Sequence, residues 1–156
     1  MKVLFIISLF FFLYPLTAQT PEGIEVQSVI ENMYEDIYSK SKINKIEDYF
    51  SNDATIFSDG EVFDFELWKS FIKNLSENLS AGNQNGNVLE RINHFDFLNI
   101  LVSGNYASIA YKKTEDFIYN GTKLVQLNWL ESADLVKENN NWKIKFLHTT
   151  RIKQDN

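Results

Sequence analysis

The sequence predicts an α+β domain in which helices cover one face of a curved antiparallel sheet. Three observations predict this class. Apolar residues recur at helical spacing in the first half of the chain, and they alternate at strand spacing after Val88. Asn-Gly and Asn-Asn pairs then divide the second half into hairpins. Helices followed by consecutive hairpins are typical of α+β domains rather than of alternating α/β domains.

Residues 1–18 have the pattern of a secretion signal. Lys2 supplies a positive charge, an apolar run follows, and Ala18 is the small residue expected before a cleavage point. Pro15 interrupts the run, which is shorter than the roughly 20 residues of a membrane span. The chain has no cysteine for a lipid anchor. We therefore expect export to a periplasm or to the outside of the cell, and one mature domain over residues 19–156.

Composition excludes several functions for that domain. Removal of the signal takes away Lys2 and no acid, so 14 basic and 21 acidic residues leave a net charge of −7. Such a chain has no basic stripe for nucleic acid or for an anionic membrane. The two histidines, His94 and His148, fall on different predicted strands without cysteine, so we expect no metal site. No glycine-rich phosphate loop is present, and we expect no cofactor.

Three helices are predicted before the main sheet. The first begins after Thr20-Pro21, the second is a short one beginning at Asn44, and the third runs from about Asp64 to Leu79. A brief strand is predicted over 53–57, ended by a turn at 58–60. The apolar stripes are Val26, Ile30, Met33 and Ile37 in the first helix, and Phe65, Trp68, Phe71, Ile72 and Leu75 in the third.

The second half of the chain is predicted to form the sheet. Residues 81–87 are rich in glycine and asparagine and predict a flexible loop. The predicted strands, of which the first is one strand or two, cover 88–100, 106–118, 123–137 and 142–153.

The last predicted hairpin contains a candidate site. Trp142, Ile144 and Phe146 alternate on one face of the final strand, and His148 is next in that register. The predicted cross-strand pairs, if the hairpin closes around 139–140, are Leu135 with Ile144, Ala133 with Phe146, and Glu131 with His148. A glutamate opposite the histidine would hold one imidazole tautomer and raise its pKa, as a general base or a ligand-orienting pair requires. The alternative is a buried pair in which the two side chains only bind each other and have a structural role.

The same counting in the preceding hairpin contradicts the apolar pattern, because it turns polar residues inward and apolar residues outward. Closure around Asn120-Gly121 turns Ala110, Lys112 and Thr114 inward and sends Ile109, Tyr111 and Phe117 outward. A β-bulge would reverse this register. Alternatively, a second copy of the protein would cover the outer face of the sheet, and we favour this homodimer.

Two segments resemble the NTF2-like superfamily. Tyr49-Phe50-Ser-Asn-Asp53-Ala54-Thr-Ile-Phe57 resembles its element between second helix and first strand, and residues 132–151 resemble its closing hairpin. The similarity is greatest to the SnoaL-like and DUF4440-like branches. It implies a cone-shaped sheet wrapped around the first helix, with an internal pocket and a dimer through the outer sheet face. The superfamily contains isomerases, dehydratases and binding proteins without a reaction. Its isomerase-type sites combine a carboxylate base with a tyrosine and a second acid, and here no second acid is identified.

We therefore expect an exported protein that binds a small, largely apolar molecule in the cone. The candidate ligand-binding residues are Tyr34, Trp68, Tyr111, Trp129, Glu131 and His148. The alternative is a cofactor-free enzyme of the isomerase, dehydratase or hydrolase kind, with His148 as the base and Glu131 as its orienter. A third possibility is a dimeric partner-binding module whose pocket is filled by its own side chains.

Overall fold

The computed structural model describes residues 20–82 and 89–153, with side chains left out for 78–82. The predicted signal sequence and most of the predicted loop at 81–87 lie outside these residues. Within the described ranges, no helix has the length and apolar character that crossing a membrane requires.

Helical segments and strands follow one another in the predicted order, with a six-residue π-helical segment extending the first helix. The helical segments are α1 (Pro21–Met33), the π segment (Tyr34–Ser39), a 3₁₀ turn (Ile43–Lys45), α2 (Ile46–Tyr49) and α3 (Phe65–Gly82). The strands are β1 (Phe50–Ser58), β2 (Glu61–Asp64), β3 (Leu89–Ser103), β4 (Tyr106–Tyr119), β5 (Thr122–Glu138) and β6 (Asn141–Ile152).

All six strands belong to one sheet with the order β2-β1-β6-β5-β4-β3. Neighbours are antiparallel except β1 and β6, which run parallel. The helices pack against the inner face of this curved sheet, which confirms the predicted α+β class. Strand β2 was not predicted: the turn at 58–60 leads into it instead of ending the strand region, with Asp59 and Gly60 both at positive φ.

The start of α1 follows from its first residues. The Thr20 side chain accepts a hydrogen bond of 3.1 Å from Gly23 N, and Pro21 occupies the first turn, where its missing N–H costs nothing. The stripe at Val26, Ile30 and Met33 is fully buried, as predicted. The π segment then continues the helix with a wider turn, a feature that often occurs at functional sites.

The register of β4 against β5 is set by a bulge. Ile118 faces Lys123 but Phe117 faces Val125, so Leu124 is the extra residue on β5. Beyond this point the pairing is shifted by one, and Ile109 and Tyr111 point into the core. Of the two explanations for the predicted conflict, the bulge is therefore correct.

A second bulge changes the last hairpin. Leu135 faces Ile144 as predicted, but Asp134 faces Phe146, so Lys145 is the extra residue on β6. The prediction was therefore wrong beyond this point. The observed pairs are Ala133 with Leu147, Ser132 with His148, and Glu131 with Thr149. A shift of one residue exchanges the faces of a strand, so Phe146 and His148 lie on the outer side of the sheet.

Candidate functional site

A cavity of about 270 Å³ lies between the π segment, α3 and the inner face of the sheet. Its apolar wall is formed by Trp68, Phe71, Ile72 and Leu75 of α3 and by Phe117, Leu127 and Trp129 of β4 and β5. Tyr34 and Tyr38 enter it from the π segment. The cavity thus joins an aromatic wall to a polar region on the strands, a combination typical of small-molecule sites.

Glu131 is the centre of the polar region. Its Oε2 accepts a hydrogen bond of 2.7 Å from the Tyr34 hydroxyl, and its Oε1 lies 3.2 Å from Lys113 Nζ. All three side chains are buried, and Glu131 faces inward because β5 alternates without interruption from Glu131 to Leu135. A buried carboxylate needs a cation and a hydrogen-bond donor as partners, and Glu131 has both.

A second carboxylate, Glu115, continues the network along β4. It forms an ion pair with Arg91 of β3, and its Oε2 accepts a hydrogen bond of 3.0 Å from Trp129 Nε1. Lys113 Nζ lies 3.8 Å from the same oxygen. Two cations and two anions therefore share one buried network, whose formal charge is zero.

Aromatic rings cover both cations. Lys113 Nζ lies 3.6 Å from the centroid of the Tyr34 ring, and the Arg91 guanidinium carbon lies 4.6 Å from that of Tyr38 and 5.6 Å from that of Phe117. Contacts of this kind stabilise a desolvated cation. The rings also fix the two long side chains, so the polar region is held in place before any ligand enters.

Burial controls the proton affinities of two of these groups. Burial raises the pKa of Tyr34 far above its usual value, and the nearby Glu131 carboxylate adds to the effect. Tyr34 is therefore a neutral hydrogen-bond donor at physiological pH. Burial lowers the pKa of Lys113, while Glu131 and Glu115 oppose the shift. The lowered pKa makes the Lys113 amine a better candidate for proton transfer than a solvated lysine.

Three of the sequence-predicted wall residues line this cavity, and one does not. Tyr34, Trp68 and Trp129 are at the cavity, as expected. Tyr111 is fully buried, and its ring packs between Phe95 and Phe97 at centroid distances of 5.9 and 5.7 Å. Tyr111 is therefore a core residue that does not line the cavity, although its side chain interacts with Glu131 and Tyr34.

The predicted pair of Glu131 with His148 does not exist. Glu131 lines the cavity, whereas His148 is exposed on the opposite face of the sheet, where its Nε2 lies 3.1 Å from Thr150 Oγ1. Its ring also contacts Phe57 at a centroid distance of 6.4 Å. His148 consequently has no access to a molecule in the cavity.

Sequence reasoning missed the partners that do contact Glu131 and Glu115. The predicted β4–β5 register lacks the bulge and turns Lys112 inward, which leaves its neighbour Lys113 outside. Arg91 is not among the predicted site residues. A signal was present, however. Ile109, Tyr111, Lys113 and Glu115 alternate along one strand, so two residues of obvious core character already placed Lys113 and Glu115 inside.

A larger groove of about 630 Å³ lies on the surface between α1, α2 and the β5–β6 turn. Its polar side chains include Asn140 and Asn141, both exposed, and its one tryptophan, Trp142, is almost fully buried by packing. The smaller cavity is the better candidate because only it contains the buried ion network. Across the described ranges, no group of three or more acidic or histidine side chains could hold a metal ion.

No family model and no curated protein matches this chain in sequence. Solved structures match its fold. An NTF-2-like protein of unknown function from Shewanella oneidensis is 12% identical, with a TM-score of 0.61, and the match covers 82% of this chain and 98% of that one. An NTF2-like protein from Cytophaga hutchinsonii is 14% identical, with a TM-score of 0.59 and coverage of 85% and 99%.

An enzyme of the same fold is also similar. The hexachlorocyclohexane dehydrochlorinase LinA-type3 from Novosphingobium barchaimii is 11% identical, with a TM-score of 0.62, and the match covers 85% of this chain and 87% of that one. At such identities the likeness establishes the NTF2-like, cystatin-like fold alone. The fold expected from the resemblance is thereby confirmed, and it contains enzymes as well as proteins of unknown function.

Proposed function

We propose that this protein is an exported member of the SnoaL-like and DUF4440-like branch that binds a small, largely apolar molecule in the cavity. The observation that supports this function best is the cavity itself, whose aromatic wall ends at the network of Glu131 and Lys113. An apolar body would pack against Trp68 and Trp129, while one polar group would reach Lys113. The described helices leave this space unfilled, which argues against a module whose pocket is filled by its own side chains.

Native mass spectrometry of the protein purified from its own host tests binding directly. We expect a reproducible additional mass that Glu131→Gln and Tyr34→Phe reduce. His148→Ala is the matched control, because His148 is an outward residue of the neighbouring strand and its loss should leave the bound mass unchanged. A protein free of additional mass, which also fails to bind any member of a small-molecule library, would contradict the proposal.

Export is a separate part of the proposal. It is supported by the sequence of residues 1–18, with its positive charge, apolar run and terminal Ala18. N-terminal sequencing of the protein recovered from a periplasmic or culture fraction should begin at Gln19. An intact Met1 in protein from the cytosolic fraction would contradict export.

A homodimer through the outer sheet face is supported by exposed apolar residues there. Leu130 is 47% exposed and Ile152 is 41% exposed, on adjacent strands. Beside them the rings of Phe57 and Phe146 are in contact at 5.1 Å. An apolar surface of this kind is typical of an interface. Leu130→Glu should give a monomer in light scattering, whereas Leu67→Glu, at an exposed leucine of α3, should not.

A cofactor-free enzyme is the second candidate, and one observation favours it. The buried Lys113 amine faces the cavity 3.2 Å from a carboxylate, which can serve as an acid–base pair in place of the predicted histidine. Such an enzyme should turn over the molecule identified by mass spectrometry, and Lys113→Met should abolish that turnover. Turnover that survives this substitution would exclude Lys113 as the acid or base.

A further inference from the structure

We infer, resting on the proposed binding function, that the ligand is uncharged and carries a hydrogen-bond acceptor such as a carbonyl oxygen. Two independent properties of the cavity lead to this class. The buried network is already electrically balanced. Of its atoms without a hydrogen bond, Glu115 Oε1 and Glu131 Oε1 each lie beside a cation, whereas the Trp68 indole N–H has no acceptor at normal geometry.

The balance involves Arg91, Lys113, Glu115 and Glu131, two cations and two anions in contact with one another. The side chains of Lys113, Glu115 and Glu131 are no more than 3% exposed, and that of Arg91 is 12% exposed. A charged ligand would add an uncompensated charge beside side chains that are themselves shielded from water. Asp59, at the cavity wall and exposed, adds a further obstacle to anions.

The acceptors of the network are occupied by donors from the protein. Glu131 Oε2 is bound by Tyr34, and Glu115 Oε2 is bound by Trp129, while Lys113 and Arg91 approach the remaining carboxylate oxygens. Every carboxylate oxygen of the network therefore already lies beside a protein donor or a cation, so a ligand donor would have to compete with these contacts.

Two donors are left over. The Trp68 indole N–H is buried at the cavity and makes no hydrogen bond of normal geometry, although the Tyr38 hydroxyl is close to it. Lys113 has three N–H groups, but one carboxylate oxygen lies within 3.2 Å and the next lies at 3.8 Å. An indole N–H and an ammonium can only donate, so the ligand must provide the acceptor.

Four probes that share one naphthalene ring system separate charge from hydrogen bonding. They are 2-acetonaphthone, 2-ethylnaphthalene, 2-naphthoate and 2-naphthylmethylammonium, titrated calorimetrically into the purified protein at neutral pH. We expect the ketone to bind at least about tenfold more tightly than either ion. It should bind roughly two- to tenfold more tightly than the hydrocarbon, as one hydrogen bond provides. Binding of the naphthoate or the ammonium as tight as that of the ketone would overturn the inference.

Variants test the two properties separately. Glu131→Gln leaves the network with one excess positive charge, so the ratio of naphthoate to ketone affinity should rise at least about tenfold. Glu90→Gln, the same change at an exposed position of β3, should leave the ratio as it is. An unchanged ratio in Glu131→Gln would overturn the charge argument.

Trp68→Phe keeps an aromatic ring but removes the donor, and it does not disturb the ion network. It should lower the affinity for the ketone several-fold more than that for the hydrocarbon, because both probes lose ring contact but only the ketone loses the hydrogen bond. Equal losses for both probes would overturn the acceptor argument. Absence of binding by all four probes, together with no bound mass in the native protein, would instead remove the proposed function. Binding with the wrong charge preference would remove only this inference.

Discussion

Replacing Lys113 with methionine removes the cation that lies between the two buried carboxylates. Its Nζ is 3.2 Å from Glu131 and 3.8 Å from Glu115, and each carboxylate side chain is 1% exposed. Methionine is a slender, unbranched side chain that can occupy most of the volume of the lysine stem. The substitution therefore tests the charge more than the packing.

The magnitude follows from what remains after the substitution. Breaking a buried ion pair by removing one partner costs about 3–5 kcal/mol, because the other charge is left without compensation. Arg91 still neutralises Glu115, so the uncompensated charge falls on Glu131, which keeps the Tyr34 hydrogen bond of 2.7 Å. We therefore expect the free energy of unfolding to fall by about 3 kcal/mol, the lower end of this range. That is a large share of the roughly 5–15 kcal/mol by which domains are stable.

Urea unfolding followed by tryptophan fluorescence measures this loss. Lys112→Met is the control, since Lys112 is the preceding residue of β4 and points to solvent. The double variant Lys113→Met with Glu131→Gln removes both charges of the pair, so it should recover at least about half of the loss. A Lys113→Met midpoint equal to that of Lys112→Met, or strictly additive losses in the double variant, would refute the idea of a coupled network.

Three further predictions concern single groups. Tyr34→Phe removes a donor to a buried carboxylate and should lower the free energy of unfolding by about 1.5–3 kcal/mol in urea titrations; a loss below about 0.5 kcal/mol would contradict it. Burial raises the pKa values of Tyr34, Tyr38 and Tyr111, so their contribution to stability is full below about pH 10, where unfolded tyrosines ionise, and is lost above it. Lys113, with its lowered pKa, acts in the opposite direction but is one group against three, and thermal unfolding at constant salt should show a net decline between pH 10 and about 12. Hydrogen bonds from two lysines and a tyrosine hold the pKa of Asp36 below its usual value, so its contribution is present above about pH 4 and is lost as pH falls. Asp36→Asn should cost about 1–2 kcal/mol at pH 7 after allowance for solvent screening, and the difference in stability from the parent protein should narrow steadily as pH falls below about 4.

Local patterns were sufficient for the architecture. Helical spacing identified α1 and α3, and the Asn-Gly and Asn-Asn turns placed the hairpins at 120–121 and 139–140, with positive φ at both asparagine positions of the last turn. These signals are local because a helix stripe or a tight turn depends on a few consecutive residues. Strand β2, with only four residues after a turn, was too short to leave such a signal.

The candidate site was predictable only in part. Side-chain direction is counted residue by residue from the turn, so one unrecognised extra residue reverses every assignment beyond it. Glu131 was correctly placed inside, since its own strand alternates without interruption from Glu131 to Leu135. The inward placement of His148 was wrong, because the extra residue Lys145 lies between His148 and the turn from which the register was counted. Lys113 was missed for the same reason, with Leu124 as the extra residue. A bulge has no strong sequence signature, so errors of this kind begin at the first one.

The bulge at Lys145 makes the composition of the cavity depend on chain length as well as on residue identity. If β6 kept Lys145 but paired without the bulge, an uninterrupted ladder from the Asn139-Asn140 turn would bring His148 to the inner face opposite Glu131 and move Thr149 out. A single codon gained between Lys145 and His148 would likewise exchange a hydroxyl for an imidazole while the surrounding strands and helices keep their geometry. Divergence by insertion and deletion can therefore give proteins of this fold different chemistry while their substitutions stay few.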